Sequence, residues 1–245
     1  MFWVAPKRFR LISLVVFSLV FYGFSEVKFL ILIVSLAIFT YLIGKQIKNK
    51  ETKAEKKKYL SIGIVVIILA LILFKYGNLL LRAVEDITGG DLGISRILLP
   101  LGISFFTFEF VHYLVEMYYG RLPEHTATEF FSFALFFPTL ASGPIKRFPK
   151  FFQSIRGNQL FSKDFFITGL FFILLGYSQK YFIADNLVER TAFLTTPSII
   201  PTNAAVLTGL FFYSFRIFFD FAGLSNIAIG SALLFGITVP INFYW

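Results

Sequence analysis

Tyr59-Leu-Ser-Ile-Gly-Ile-Val-Val-Ile-Ile-Leu-Ala-Leu-Ile-Leu-Phe74 contains no charged side chain, and its apolar character continues past Lys75 to Leu81. A transmembrane helix needs roughly 17–25 predominantly apolar residues, and this stretch reaches that length. In lipid every backbone N–H and C=O must be satisfied within the protein, which leaves only helices and closed barrels. A barrel strand alternates apolar and polar residues, and no such alternation is present, so the segment is expected to be a spanning helix. Upstream, Phe9–Phe24 and Val27–Gly44 are joined tightly through Ser25 and Glu26 and read as a hairpin of two further spans. A basic start before an apolar core also fits a secretory signal, but no convincing small-residue cleavage site follows it. Downstream lie Ile97–Gly120, Phe165–Ala184, Ala204–Phe219 and an apolar segment over Ser225–Ile237. Pro100 and Gly102 mark a break or kink near the start of the first of these. The chain is 57% hydrophobic with 35 phenylalanines in 245 residues, against about 45–50% apolar residues in soluble domains. The expected fold is all-α, a polytopic transmembrane helical bundle.

Phe130–Ile145 is apolar but interrupted by Pro138, Gly143 and Pro144. It is too broken for a simple span. A re-entrant segment is expected, because irregular backbone at membrane depth must be buried in protein or face a polar cavity. Lys146–Lys163 is basic and aromatic and suits the membrane interface. Polar connections are expected over Lys45–Lys58, which holds seven lysines, over Val84–Arg96 with the Gly89–Gly90 turn signal, and around Pro197 and Pro201.

The net charge is +9. In a soluble protein that would suggest nucleic acid. Here the basic residues fall between apolar runs, so topology and anionic lipid account for them and no nucleic-acid partner is expected. With the N-terminus in the cytoplasm, Lys7, Arg8, Arg10, the lysine-rich stretch and Arg121–Lys163 all fall inside, sixteen of the 23 basic residues. The opposite side receives Lys28, Arg82, Arg96 and Arg190. A multi-pass protein of the inner or plasma membrane is expected. The absence of cysteine excludes a disulfide framework, a thiolate nucleophile and a Cys-ligated metal.

Few residues can carry chemistry. The histidines are His112 and His125. Glu109-Phe-Val-His112 has the Glu-x-x-His spacing of a bundle di-metal site, but that site needs a second copy and two more carboxylates, so no metal is expected. Glu109, His112 and Glu116 share one helical face. Ionisable groups inside a membrane are costly and either pair with one another or line a path. Arg216 and Asp220, four apart, read as an ion pair, and Ser225 and Asn226 follow in a Gly-containing break. There is no Gly-rich phosphate loop and no Gly-x-Ser-x-Gly nucleophile elbow. These residues alone leave a transporter and an enzyme level.

Three stretches, in order, change that balance: Leu99-Pro-Leu-Gly-Ile-Ser-Phe-Phe-Thr-Phe-Glu109 with Tyr119-Gly-Arg121; Phe136-Phe-Pro-Thr-Leu-Ala-Ser-Gly-Pro-Ile-Lys-Arg147; and Phe219-Asp-Phe-Ala-Gly-Leu-Ser-Asn-Ile-Ala-Ile-Gly230 with Pro240-Ile-Asn-Phe243. Together they resemble the bacterial branch of the membrane-bound O-acyltransferases, which includes alginate O-acetyltransferases and teichoic acid D-alanyl transferases. The resemblance covers about residues 95–245, read as a partial O-acyltransferase core behind N-terminal transmembrane helices at 1–94 with a basic cytoplasmic loop.

It implies a helical bundle around a tunnel, with no bound cofactor. An acyl group, acetyl by expectation, would pass from a cytoplasmic acyl-CoA or acyl-carrier thioester to a hydroxyl of a cell-surface polysaccharide or glycopolymer, directly or through an extracytoplasmic partner protein. By the same resemblance Gly102, Ser104, Gly143, Pro144, Arg147, Asp220, Gly223 and Ser225 match motif positions. Asn226 stands where an Asp is commoner. Glu109 and His112 depart from the pattern, which makes His112 a poor match for the family histidine. Substrate-path candidates are thus Glu109, Gly143, Pro144, Arg147, Asp220, Ser225 and Asn226. In the family a Trp-His motif bearing the catalytic histidine follows the Pro-x-Asn-Phe stretch, and this sequence ends at Trp245 before that point. The expectation is a fragment, a split gene or a degenerate member, with no acyl transfer by these 245 residues alone. The alternative is a non-catalytic or transporter-like membrane protein with a buried polar path.

Overall fold

The apolar run at 59–74 lies within a single helix longer than the run itself. A computed structural model describes residues 2–25, 27–90, 96–157, 161–195 and 202–243. Helices α1 (Lys7–Ser25), α2 (Val27–Asn49) and α3 (Lys53–Thr88) open the chain. The expected loop at Lys45–Lys58 shrinks to residues 50–52, because Lys45 and Lys48 close α2 while Lys53 and Lys56–Lys58 open α3. The reason is local. Thr52 caps α3 by accepting the Glu55 N–H, Glu55 suits the positive helix start, and Lys, Glu and Ala are good helix formers. At 36 residues α3 is about 54 Å long against a hydrocarbon core of about 30 Å, so its ends reach beyond the core. Val65, Leu69, Leu73, Tyr76 and Leu80 form an exposed stripe along it, an outward apolar face of the kind that lipid covers. The helix ends at Gly89, whose φ of 71° is left-handed and whose N–H bonds the Glu85 carbonyl at 2.8 Å. The connection expected from Val84 therefore starts at Gly89.

The chain forms two compact units, Met1–Ala141 with Arg147–Gln153, and Ser142–Lys146 with Ser154–Trp245. In the first, α4 (Ile103–Tyr118) packs with α2 and α3. The Asn78 side chain clamps the segment before it, donating to the Ile97 carbonyl at 2.7 Å and accepting the Ile97 N–H at 2.8 Å. Gly102 starts α4 at φ 75° against the Leu140 carbonyl, where a Cβ would collide with backbone. The break expected at Pro100 and Gly102 is therefore the true helix start.

Phe130–Ile145 is broken as its prolines and glycine require. It divides into α5 (Ala127–Ala134), opened by a Thr126/Glu129 capping box, and the one-turn α6 (Phe137–Leu140) with Pro138 in its first turn. Then follows α7 (Phe148–Arg156), whose first residues belong to the first unit. Aromatic rings fill this unit's core: Tyr113 meets Phe130 at 4.6 Å, Phe133 meets Phe148 at 5.2 Å, and Phe136 meets Phe151 at 5.2 Å.

The second unit holds α8 (Lys163–Tyr177), a π-helical segment over Ser178–Ala184, α9 (Asn186–Thr191), a 3-10 turn at Ala192–Thr195, and α10 (Asn203–Leu234). The expected loop at Pro197 and Pro201 lies outside the described residues. Two expected segments, Ala204–Phe219 and Ser225–Ile237, are one helix, and the break expected around Gly223–Asn226 does not exist. No proline interrupts that stretch, and Gly223 serves contact instead of bending. Gly169 and Gly230 face each other, as do Gly176 and Gly223 seven residues along. A Cβ on Gly176 would lie 2.5 Å from the Gly223 carbonyl oxygen and 2.8 Å from the Ile227 nitrogen. Backbone thus meets backbone along the α8–α10 crossing, the close approach that small residues permit between membrane helices. Among the described residues four helical stretches are long and apolar enough to cross a membrane: Val27–Asn49, Lys53–Thr88, Lys163–Leu194 and Asn203–Leu234.

Candidate functional site

The span Lys163–Leu194 carries a lysine and a glutamine in its middle, and the π-helical segment presents both to α10. A π turn bonds i to i+5 and is frequent at functional sites. Here the Asp185 N–H bonds the Lys180 carbonyl at 3.0 Å. Lys180 Nζ lies 2.6 Å from Asp185 Oδ1 and 2.7 Å from Asp220 Oδ1. One ammonium thus bridges two carboxylates, and Arg216 lines the same cleft of about 190 Å³, so the four charges cancel. Pairing of this kind makes ionised groups tolerable inside a membrane. The expected Arg216–Asp220 pair is replaced. Asp220 goes to Lys180, and Arg216 donates to the Thr191 hydroxyl at 3.1 Å. Four residues apart on one helix, Arg216 and Asp220 each take a partner off that helix.

Next to this cluster runs an uncharged one. Asn226 Nδ2 donates to Gln179 Oε1 at 2.7 Å, both side chains being buried. Asn242 Nδ2 donates to Ser225 Oγ at 2.7 Å. The second unit thus contains a seam of amide, hydroxyl, ammonium and carboxylate groups with its partners in place. It contains neither histidine. The seam can solvate and guide a polar group, but holds no imidazole to take a proton.

In the first unit the acidic and histidine stripe of α4 forms as its spacing requires. His112 Nε2 stands 3.9 Å from Glu116 Oε1, and Arg121 reaches the same carboxylate oxygen at 3.6 Å. His112 Nδ1 is buried without a hydrogen-bond partner, and the exposed Arg147 is near enough to act on His112 electrostatically. Glu109 is buried and has partners of its own. His125 stands apart from this stripe. Its Nε2 meets the Tyr113 hydroxyl and its Nδ1 the Pro123 carbonyl, each at 2.8 Å.

Of the residues expected from sequence, Glu109, His112 and Arg147 thus belong to the first unit. Asp220, Ser225 and Asn226 share the seam of the second, and Gly143 and Pro144 are buried residues of that same unit. Sequence reasoning missed Gln179, Lys180, Asp185 and Asn242. A signal for two of them was present: Lys180 is a charge inside an apolar run, where a charge implies a partner, and Asn242 lies in the Pro240–Phe243 motif stretch.

The membrane-bound O-acyltransferase family matches this chain over residues 17–245, further toward the N-terminus than the three motif stretches. The chain is 32% identical over 250 residues to a protein of Pseudomonas aeruginosa described as probable alginate O-acetylase, covering 99% of this chain and 48% of that protein. It is 32% identical over 261 residues to the peptidoglycan O-acetyltransferase of Helicobacter pylori, covering 94% and 49%. It is 37% identical over 160 residues to the teichoic acid D-alanyltransferase of Streptococcus thermophilus, covering 62% and 38%. The chain spans about half the length of the first two of these relatives. With the family matched over nearly its whole length, and with long apolar helices enclosing polar clusters, the chain belongs to the membrane-bound O-acyltransferases.

Proposed function

We propose that this protein serves the O-acylation of a cell-surface polysaccharide or related glycopolymer. An acyl group, acetyl in the first instance, leaves a thioester donor, acyl-CoA or an acyl carrier, on the cytoplasmic side. The C–S bond breaks and a C–O ester bond forms to the acceptor hydroxyl. The hydroxyl proton passes to a base and from there to the departing thiolate. The acceptor sits beyond the membrane, reached directly or through an extracytoplasmic partner protein. The observation that carries this reading is the similarity, over 99% of the chain, to a protein described as an alginate O-acetylase, beside that to a peptidoglycan O-acetyltransferase.

The basic ends of α2 and α3 support a cytoplasmic N-terminus, and a basic inner face favours an anionic donor. The broken backbone over residues 130–145 supports a re-entrant element. The seam of Asp220, Ser225 and Asn226, with Lys180 and Gln179, is the proposed polar path of the second unit, where Gly143 and Pro144 are also candidates, and Glu109 and Arg147 are separate candidates of the first unit. His112 is not the base in this reading, because it departs from the motif pattern and Glu116 stands no nearer its Nε2 than 3.9 Å.

The test is the O-ester content of surface polysaccharide, measured by NMR, in cells deleted for the gene and complemented with variants. Deletion lowers it and the wild-type gene restores it. Asp220→Asn reduces it more than about tenfold, whereas His112→Ala stays within about threefold, well short of the 10²–10⁴-fold loss expected of a general base. Unchanged ester content on deletion would favour the transporter-like alternative.

A further inference from the structure

The charged cleft of the second unit is bordered by exposed apolar and aromatic side chains. Besides Lys180, Asp185, Arg216 and Asp220, it is lined by Val188, Tyr213 and Ile217, all three exposed. Among the described residues no carboxylate pairs with Arg216. Its guanidinium carries five N–H donors, and the Thr191 hydroxyl takes one of them. Lys180 holds Oδ1 of both Asp185 and Asp220. Each carboxylate therefore keeps a second oxygen with no protein donor among the described residues, and the two side chains are 37% and 42% exposed. The depth of the cleft follows from the span. Lys163 and Asp164 mark one end of its apolar stretch, and Lys180, Asp185, Glu189 and Arg190 mark the other. Lys180 stands about 25 Å along the helix from Lys163, close to the far edge of a hydrocarbon core of about 30 Å. Tyr177 and Tyr181, stacked at 5.3 Å and exposed, flank it in sequence. Tyrosine gathers where membrane meets water, so the cleft lies at headgroup level.

We infer that this cleft holds the headgroup of a phospholipid bearing both a phosphodiester and a primary ammonium, the ethanolamine class. Arg216 meets the phosphate, which a guanidinium binds through two parallel N–H groups. The free oxygens of Asp220 and Asp185 accept from the ammonium. Residues four apart on a helix have Cβ atoms about 5–6 Å apart, so Arg216 and Asp220 leave a gap that the two-carbon ethanolamine link bridges. Two cations and two carboxylates make the cleft neutral, which fits a neutral zwitterion. A lipid with a net negative charge would satisfy Arg216 but offer the carboxylates nothing. A choline headgroup has no N–H to give them. Ile217 and Phe221, one turn apart on α10 and both exposed, carry the apolar border on toward the core for the acyl chains. This inference goes beyond acyl transfer. Its readout is bound lipid and not ester content, so either reading can fail without the other.

The experiment uses the full chain in nanodiscs made of phosphatidylcholine, phosphatidylethanolamine and phosphatidylglycerol in equal parts, and native mass spectrometry measures the lipid retained. The ethanolamine lipid should be retained over the choline lipid by about fivefold or more, the scale of one partly exposed charge-assisted contact. Discs with the N-methyl and N,N-dimethyl forms in its place should step down toward the choline value as N–H donors are lost. Arg216→Ala should reduce the preference to less than about twofold, and Asp185→Asn combined with Asp220→Asn should lower it about threefold. Arg190→Ala, on α9 outside the cleft, should change it less than about 1.5-fold. Equal retention of the ethanolamine and choline lipids by the wild type overturns the proposal. So does stronger retention of phosphatidylglycerol, a flat methylation series, or an unchanged preference in Arg216→Ala. The methylation series uses wild-type protein, so it decides the matter even where Arg216→Ala fails to fold.

Discussion

Asn226 and Gln179 satisfy each other inside α10 and the π-helical segment, and a buried amide left alone carries its full desolvation penalty. Asn226→Leu should therefore destabilise the protein by about 1–3 kcal/mol. Adding Gln179→Leu should recover part of that loss, and a double-mutant cycle from thermal melts in detergent measures the coupling. At the surface, Lys48 holds the Glu124 carboxyl below its ordinary value of 4.5, first by hydrogen bonding and then by charge. Because that pKa is depressed by folding, the pair's contribution is complete above 4.5 and fades as pH falls through the lower folded value. A carboxyl-carbon NMR titration of Glu124 should show this, and Lys48→Ala should return the midpoint to the ordinary value. At this scale the sequence marked Asn226, Ser225 and Asp220 as polar groups within apolar surroundings. It did not reveal their partners, because Gln179 lies 47 residues from Asn226, Lys180 40 from Asp220 and Asn242 17 from Ser225. Arg216 was misassigned for the same reason: its i, i+4 neighbour was visible and Thr191 was not.

The helices were legible from continuous apolar runs, since lipid requires helical backbone over such lengths. Their ends were not. Lysine-rich flanks read as loop, yet Thr52 and the helix propensity of Lys, Glu and Ala extend the helices to within three residues of each other. Gly223 read as a breaker because a glycine in isolation weakens a helix, whereas here it makes room for Gly176 and Lys180. The same contrast predicts unequal costs for glycine-to-alanine changes. Gly230→Ala would push a methyl group against the Gly169 carbonyl and the Ile173 backbone, which cannot yield without separating two helices. It should cost about 2–3 kcal/mol, the upper part of the usual overpacking range. Gly63→Ala meets the Leu114 and Ile43 side chains instead and should cost less. Melts of the two variants in one detergent compare them directly. The π-helical segment makes a further prediction. Deleting the exposed Phe182 would return the span to α-helical register and rotate Asp185 by about 100° relative to Lys180. The variant should still insert in the membrane while surface O-ester content falls to that of Asp220→Asn.

For the molecule as a whole, lysine and arginine placement set an expected topology that labelling can check, helped by the absence of native cysteine. Cysteine placed at Lys57 should react only with reagents reaching the cytoplasm, and cysteine at Gly90 with impermeant reagents outside. Reaction of both from one side would refute the spanning of α3. The family was legible because three motif stretches occur in order, and the match extends well beyond them. The glycine facing has a bearing on how such a gene can change length. Gly169 meets Gly230 and Gly176 meets Gly223, so what must be inherited is the interval between glycines on each helix as much as the glycines themselves. One codon gained or lost between positions 169 and 176, or between 223 and 230, misaligns one of the two meetings whatever residue is involved. Related genes should therefore hardly vary in length within these two intervals.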